Sequence, residues 1–197
     1  NSTVIVDNGR ISRIEDGFVA PAGAIVVDER SKTVLPGMTD VHVHLTQTSG
    51  TPWYAYYTLK FSNDYSTTLG LTHALEMARG GFTTVRDLGD VGYRSLAFRD
   101  SPRLGLPRIQ AAGPPLTVPD GHCHYLGGVV QGPGAIRGSV FEHEQRGVDV
   151  IKVMASGGFL TSGTLVGGRQ FTPDDLVALV DEAHRHGLPV TAHAHAL

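Results

Sequence analysis

The stretch "VLPGMTDVHVHL", residues 34–45, contains both a break in the chain and the start of a different kind of fold. Pro36-Gly37 ends the pattern that precedes it. In the strand that follows, side chains alternate between two faces, so His42 and His44 share one face. Two neighbouring imidazoles converge there, and a divalent metal ion would satisfy both. The alternative is a pair of histidines bonded to backbone carbonyls or half exposed at a strand end.

Upstream of this break the chain has the character of a small antiparallel unit. The segment "TVIVDNGRISRIE", residues 3–15, predicts two strands joined at Asn8-Gly9, the dipeptide favoured in type I′ hairpin turns. Residues 23–37 continue the same alternating style. We therefore place a domain boundary near residue 36.

Downstream of the break, strand-like and helix-like segments alternate. This repetition predicts parallel strands with helical crossovers, hence an α/β sheet or barrel. The helix near the end is well marked, with Thr172 as N-cap, Pro173 after it and Gly187 beyond its end. The predicted strands are 39–45, 82–89, 107–113, 149–156 and 188–197, the predicted helices are 67–81, 93–100, 135–147 and 172–187, and a tyrosine-rich loop covers 50–66.

Composition narrows the function classes. The chain has 197 residues, 41% of them hydrophobic, and a formal net charge of -3, so neither nucleic acid nor an acidic membrane is an expected partner. No apolar run approaches the roughly 20 residues that span a bilayer, and the polar opening lacks the features of a signal peptide. The single cysteine, Cys123, excludes an intrachain disulfide and fits a reducing compartment. We expect a cytoplasmic protein.

Unusual residues recur at the carboxyl ends of the predicted strands, where parallel α/β folds collect their functional groups. The first strand ends with His42 and His44, the second with Arg86 and Asp87, the fourth carries Lys152, and the fifth carries His193 and His195.

Lys152 stands between two apolar residues in an apolar strand, where a charged amine is costly. Burial lowers the pKa of a lysine towards neutrality. A neutral amine is nucleophilic, and reaction with carbon dioxide would give a carbamate whose two oxygens can bridge two metal ions. The alternative is an ion pair with a buried carboxylate, for which Asp87 is the first candidate.

The loop "PDGHCHYLGG" after the third strand brings His122, His124 and Tyr125 near the expected mouth of the fold. These side chains could contact a substrate carboxylate or carbonyl. Packing within the loop, exposure to solvent and metal binding are the alternatives, although three metal ligands so tightly spaced cannot all point inward.

Four motifs together, "LPGMTDVHVHL", "GGFTTVRDLG", "DVIKVMASGG" and "PVTAHAHA", in this order, resemble the amidohydrolase superfamily of metal-dependent hydrolases. Within it the chain most resembles imidazolonepropionase-like proteins and prolidases, which cleave Xaa-Pro or other dipeptides. The resemblance spans nearly the whole chain. It implies the N-terminal part, strands one to five, of a (β/α)8 TIM barrel over residues 37–197 and part of a small β-sandwich domain over residues 1–36.

The resemblance also implies a binuclear site, usually zinc. In that arrangement His42 and His44 bind the more buried ion, carboxylated Lys152 bridges it to the second, and His193 binds the second. His195 is assigned to catalytic contact with the substrate or transition state, with a rim position as the alternative. Arg86 and Asp87 are expected to form a structural pair beneath the site. The histidines on predicted helices, at 73, 143, 184 and 186, are expected to face solvent.

The chemistry implied is amide hydrolysis of a dipeptide or N-acyl amino acid by a hydroxide that bridges the metal ions. A related deamination chemistry places a glutamate three residues after the strand-five histidine, and Ala196 stands there instead. The competing hypotheses are a non-catalytic amidohydrolase-like barrel or assembly module, and a hydrolase of lactones, carbamates or phosphotriesters.

A barrel of this type needs about 250 residues, and the sequence stops after its fifth strand. We therefore expect a fragment that lacks the strand-six histidine and the strand-eight aspartate, the expected general base. The expected partners are a small-molecule or dipeptide substrate and the missing C-terminal half of the barrel, with a homo-oligomer as a further option.

Overall fold

The computed structural model describes residues 1–48, 63–100 and 105–195. The tyrosine-rich loop predicted at 50–66 lies outside the described residues, except that 63–66 are helical rather than loop. Ala196 is also outside them. By its internal contacts the chain divides into two compact units, Asn1–Pro36 and Gly37–Leu197.

The first unit contains the predicted hairpin. Strands β1 (Ser2–Asp7) and β2 (Arg10–Asp16) pair antiparallel, which confirms the prediction. Asn8 and Gly9 have φ values of 50° and 73°, because a type I′ turn needs positive φ at both central positions. Residues 23–37 form no strand, against expectation. A strand needs a neighbour to satisfy its backbone groups, and no described strand lies beside this segment.

The described part of the second unit contains five parallel strands in chain order. They are β3 (Met38–Val43), β4 (Phe82–Asp87), β5 (Arg108–Ala111), β6 (Ile151–Met154) and β7 (Val190–His193). The ladders β3–β4–β5 and β6–β7 are parallel. Just beyond β5, Leu116 joins the two groups: its N–H donates to the Lys152 carbonyl at 2.8 Å, and its carbonyl accepts from the Met154 N–H at 2.8 Å. The predicted parallel α/β arrangement is confirmed.

Each of the first four of these strands is followed by a helix. The helices are α1 (Asn63–Arg79), α2 (Arg94–Arg99), α3 (Gly132–Gln145) and α4 (Pro173–Arg185), and a 3₁₀ turn (His124–Leu126) lies between β5 and α3. Helix α4 starts as predicted, with a reciprocal cap between Thr172 and Asp175. None of the helices in the described ranges is both long and apolar enough to cross a membrane.

The core lies between the strands and these helices, and the residues buried in it show which way Lys152 points. Ile151 and Val153 are buried in one cluster with Ile136 of α3 and Leu179 of α4. Because neighbours on a strand face opposite ways, Lys152 points to the other side of the sheet, away from the helices. The same alternation places the side chains of His42 on β3 and His193 on β7 on the side of their strands that faces away from the helices.

The helical histidines do not all face solvent. His184 is exposed as expected, but His143 is only 2% exposed. Its Nε2 is 2.8 Å from the Pro114 carbonyl, and its Nδ1 is 2.7 Å from the Ser139 carbonyl. His73 and His186 are half-buried, and His73 Nδ1 lies 2.7 Å from the Leu45 carbonyl. The helix pattern predicted exposure for these rings because it does not include the other segments of the chain that pack against them.

Candidate metal and substrate site

His42 and His44 lie at the carboxyl end of β3 with their ring centroids 5.3 Å apart. His44 is half-buried, and its Nδ1 is 3.0 Å from the Gly89 carbonyl. A carbonyl only accepts, so Nδ1 carries the proton and Nε2 presents a lone pair. A histidine that binds a metal is commonly oriented by such a contact at its other nitrogen.

Lys152 is buried, with 1% of its surface exposed, and it forms no ion pair with any carboxylate of the described residues. Burial lowers the pKa of its amine to about 8, with the positive charge of Arg86 acting in the same direction. The alternative interpretation, an ion pair with Asp87, is wrong. Asp87 instead accepts two backbone N–H groups, from Leu45 at 2.8 Å and from Gly89 at 3.0 Å.

Arg86 and Asp87 do not form the expected structural pair either. They are consecutive on β4, so their side chains leave opposite faces. Arg86 Nε donates to the Val41 carbonyl at 3.0 Å, whereas Asp87 is fully buried. Burial, with the nearby Asp90 carboxylate, raises the pKa of Asp87 to about 8.

Three histidines meet beyond the ends of β5 and β7. His193 lies 4.5 Å from His122 and 4.5 Å from His195, measured between ring centroids. His193 Nε2 is 3.0 Å from the Gly157 carbonyl, so Nε2 carries the proton and Nδ1 presents a lone pair. His195 is exposed, its backbone N–H donates to Ser156 Oγ, and its ring lies against Phe159.

The loop motif "HCH" does not act as one cluster. Cys123 has a φ of 57°, and this local reversal turns its two neighbours in different directions. His122 is buried against His193, whereas His124 Nδ1 contacts the Gly121 carbonyl of its own turn at 2.8 Å. Tyr125 is half-buried, with its hydroxyl 3.6 Å from Cys123 Sγ. Of the three loop residues predicted to contact substrate, the structure brings His122 alone into ring contact with His193.

The electrostatic surroundings favour neutral imidazoles. Desolvation, with Lys152 and neighbouring imidazoles adding to it, lowers the pKa of His42 to about 4, although His42 is an exposed residue. Burial and the neighbouring His193 lower the pKa of His122 to about 4. Desolvation also lowers the pKa values of His44 and His193. Near neutral pH these rings therefore offer lone pairs rather than positive charges.

The donor types fit a divalent cation. Among the described residues, His44 and His193 each have one ring nitrogen in contact with a backbone carbonyl and no partner at the other, and Lys152, whose charge acts on both rings, is buried and forms no ion pair. Imidazole and carbamate donors suit zinc and similar ions. Within the described part of the chain, no three His, Cys, Asp or Glu side chains are grouped closely enough to surround one ion.

Three residues of the segment after β6 were not identified from the sequence. Gly158, Thr161 and Gln170 all contact His122 or its backbone. They carry no metal-binding or acid-base chemistry, and they are 36 to 48 residues from His122 in the sequence. No local pattern could have connected them with it.

Comparison with known proteins places these features in a family. The sequence matches the Amidohydrolase family over residues 33–197, and the chain therefore belongs to that family. It is similar to a solved Xaa-Pro dipeptidase with bound methionine in the active site, with 30% identity and a TM-score of 0.86 over 98% of this chain and 52% of that one. A prolidase complexed with N-methylphosphonate-L-proline is similar at 31% identity, with a TM-score of 0.85 over 98% of this chain and 51% of the other.

A curated relative points in the same direction. The ochratoxinase of Aspergillus niger is 29% identical over an alignment that covers 84% of this chain and 40% of that protein. The chain thus spans about half the length of the solved relatives and less of the curated one. The resemblance to prolidase-like amidohydrolases is confirmed.

Proposed function

We propose that the protein is a metal-dependent hydrolase that cleaves a C–N amide bond in a dipeptide of the Xaa-Pro kind or in an N-acyl amino acid. The observation that carries the proposal is Lys152, which is buried beside His44 and His193 and has no carboxylate partner in the part of the chain that the structure describes. Membership of the amidohydrolase family and the likeness to a Xaa-Pro dipeptidase support it.

The strands β3–β7 are, in this proposal, the first five of a (β/α)8 barrel, and residues 1–36 belong to a small β-sandwich. The order of the parallel strands supports the first part. The carboxyl ends of β3, β6 and β7 then face one mouth, where barrel enzymes place their active sites. The proposed compartment is the cytoplasm.

His42 and His44 would hold one divalent ion, probed first as zinc, and His193 would hold a second. Lys152 would bridge them after its amine adds to carbon dioxide, forming an N–C bond and releasing a proton. When bound, the ions supply a nucleophilic hydroxide at neutral pH and polarise the scissile carbonyl.

The remaining groups of the site act on the substrate. His122, buried against His193, would donate a hydrogen bond to a substrate oxygen. His195, exposed beside His193, would contact the substrate or the departing amine. His124 and Tyr125 lie further along the same loop as His122 and would line the entrance.

The test is hydrolysis by the full-length protein of a panel of Xaa-Pro dipeptides, other dipeptides and N-acyl amino acids. We expect turnover of at least one class, loss of turnover on chelation and recovery with zinc. Lys152→Ala should reduce kcat/KM by about a thousandfold, because the bridging ligand is lost. Lys32→Ala, which removes an exposed lysine paired with Glu29, is the control and should leave it unchanged.

A folded, metal-loaded protein that hydrolyses none of these amides would contradict the proposal. Turnover of lactones, carbamates or phosphotriesters instead would assign the site to a different bond. Activity that is indifferent to Lys152 would exclude the bridged arrangement.

A further inference from the structure

The orientation of His122 is set by the segment that follows β6. Gln170 Oε1 accepts the His122 backbone N–H at 2.5 Å. The amide nitrogen of the same side chain donates to the Met154 carbonyl at 2.6 Å and to Thr117 Oγ1 at 3.1 Å. Gln170 therefore ties the loop that carries His122 to the end of the strand that carries Lys152.

Thr161 holds the imidazole ring itself. Its side chain is buried, its Oγ1 accepts the Cys123 backbone N–H at 2.9 Å, and the same oxygen lies 3.0 Å from His122 Nδ1. A hydroxyl has one proton to donate, whereas its oxygen can accept two hydrogen bonds. The contact with His122 can therefore run in either direction, and the direction decides which ring nitrogen carries the proton.

The surroundings of the hydroxyl favour one direction. If Nδ1 were the donor, the Thr161 proton would have to find another acceptor in a buried place, and a buried donor without an acceptor destabilises the fold. Among the described residues, Cys123 Sγ is a further acceptor within reach of this hydroxyl, and burial raises the pKa of its thiol. A protonated thiol sulfur is a much weaker acceptor than an imidazole nitrogen.

We propose that Thr161 is a positioning residue whose hydroxyl donates to His122 Nδ1 and so fixes the proton of His122 on Nε2. Nε2 has no hydrogen-bond partner among the residues that the structure describes. Fixed in this tautomer, the ring presents an N–H donor to a substrate oxygen. In the opposite tautomer it would present a lone pair, which repels a carbonyl or carboxylate oxygen.

The space around the ring leaves it little freedom to adopt another orientation. A Cβ at Gly158 would lie 2.5 Å from both Nε2 and Cε1 of His122. The backbone at Gly158 therefore packs so closely against the His122 ring that only glycine fits there. The His193 ring lies 4.5 Å away between centroids. Packing therefore limits the rotamer of His122, and the hydrogen bond with Thr161 determines its tautomer.

The role of the His122 Nε2–H towards the substrate rests on the proposed function, whereas the first experiment, which measures the tautomer of His122, does not depend on it. The full-length protein is labelled with 15N-histidine, and two-bond 15N–1H correlations report which nitrogen of His122 is protonated, with assignment by the His122→Gln variant. The expected result is Nε2 protonation in the wild type and in Thr161→Ser. Thr161→Val, which has the same shape without the hydroxyl, should show a mixture of tautomers or the Nδ1 form.

The second readout is steady-state kinetics of the same metal-loaded proteins. Thr161→Val should lower kcat/KM about tenfold or more, and Thr161→Ser should restore it. A loss confined to kcat identifies the scissile carbonyl as the partner of the N–H, and a loss confined to KM identifies a substrate carboxylate. Thr164→Val is the control for loss of a hydroxyl in the same loop, because Thr164 bonds Gly158 and the Thr161 carbonyl and forms no hydrogen bond with His122 among the described residues.

Three outcomes would overturn the inference: Nδ1 protonation in the wild type, an unchanged tautomer in folded Thr161→Val, or equal kinetic losses in Thr161→Val and Thr164→Val. If Thr161→Val does not fold, the wild-type and Thr161→Ser spectra still decide the tautomer. A protein that turns over no substrate but shows the Nε2 tautomer would refute the proposed function while leaving the assignment of Thr161 intact.

Discussion

At the scale of single residues, the site depends on contacts that fix one nitrogen of an imidazole and free the other. Gly89 and Gly157 do this for His44 and His193 through their carbonyls, and Thr161 does it for His122. Backbone carbonyls and a hydroxyl carry no charge of their own. They orient the rings without competing with Lys152 or with a bound cation.

Gly158 should be intolerant of even a methyl group. We expect Gly158→Ala to displace the His122 ring and to lower kcat/KM by about tenfold or more, since the new Cβ would lie 2.5 Å from two ring atoms. Gly138→Ala on α3 is the matched control, because a Cβ there would meet no described atom within 4 Å apart from its chain neighbours and the backbone of its own helix. That change should preserve activity and stabilise the helix by about 0.5–1 kcal/mol. Full activity in Gly158→Ala would show that the ring position is unimportant.

Asp87 should make stability fall as the pH rises. Its pKa in the folded state, about 8, lies above the ordinary 3.8, so between these values the native protein holds a proton that the unfolded chain releases. The free energy of unfolding should therefore decrease between pH 5 and pH 8, by at most about 1.4 kcal/mol per pH unit.

The measurement is chemical denaturation of wild type and Asp87→Asn at several pH values. The variant loses one of two backbone contacts, so it should be less stable at pH 5. It should also show a smaller decline towards pH 8. A variant whose decline matches that of the wild type would assign the pH dependence to another group.

At the scale of elements, helix α4 shows how local sequence signals can suffice. Thr172 caps the helix through the Asp175 N–H, and the Asp175 carboxylate accepts the Thr172 N–H in return. Its buried face, which includes Leu179 and Ala183, packs into the same cluster as β6. The helix thereby covers the side of β6 opposite to Lys152.

Removing this cap should destabilise the protein without affecting the chemistry. We expect Thr172→Ala to lower the free energy of unfolding by about 1 kcal/mol, and Thr172→Ser to have little effect. Thermal or chemical unfolding of the full-length variants measures the difference. Activity measured well below the unfolding transition should stay unchanged in both, and a fall in kcat would mean that α4 has a further role.

Much of the element order was predictable because it depends on local patterns. Apolar runs between glycine and proline breaks located the five described parallel strands, and alternation correctly placed His42 with His44. Residues 23–37 show the limit of this reasoning. Their alternation is as clear as that of β1, yet a strand also needs a partner, which a local pattern does not supply.

At the scale of the whole molecule, the features that sequence reasoning missed all depend on distant segments. His143 is buried against Pro114, which lies 29 residues away in the sequence and whose carbonyl is 2.8 Å from His143 Nε2. Asp87 bonds to Leu45 across 42 residues rather than to its chain neighbour Arg86. The positions of Thr161 and Gln170 around His122 likewise follow from how two loops meet above the strands.

In the proposed function, buried Lys152 joins two metal-binding histidine groups. Elemental analysis of the purified full-length protein, with Lys152→Ala beside it, tests this role of Lys152. The predicted result is about two divalent ions per chain in the wild type and clear loss of metal in a variant that remains folded by circular dichroism. No bound metal in the wild type, or a metal content that does not depend on Lys152, would contradict the claim.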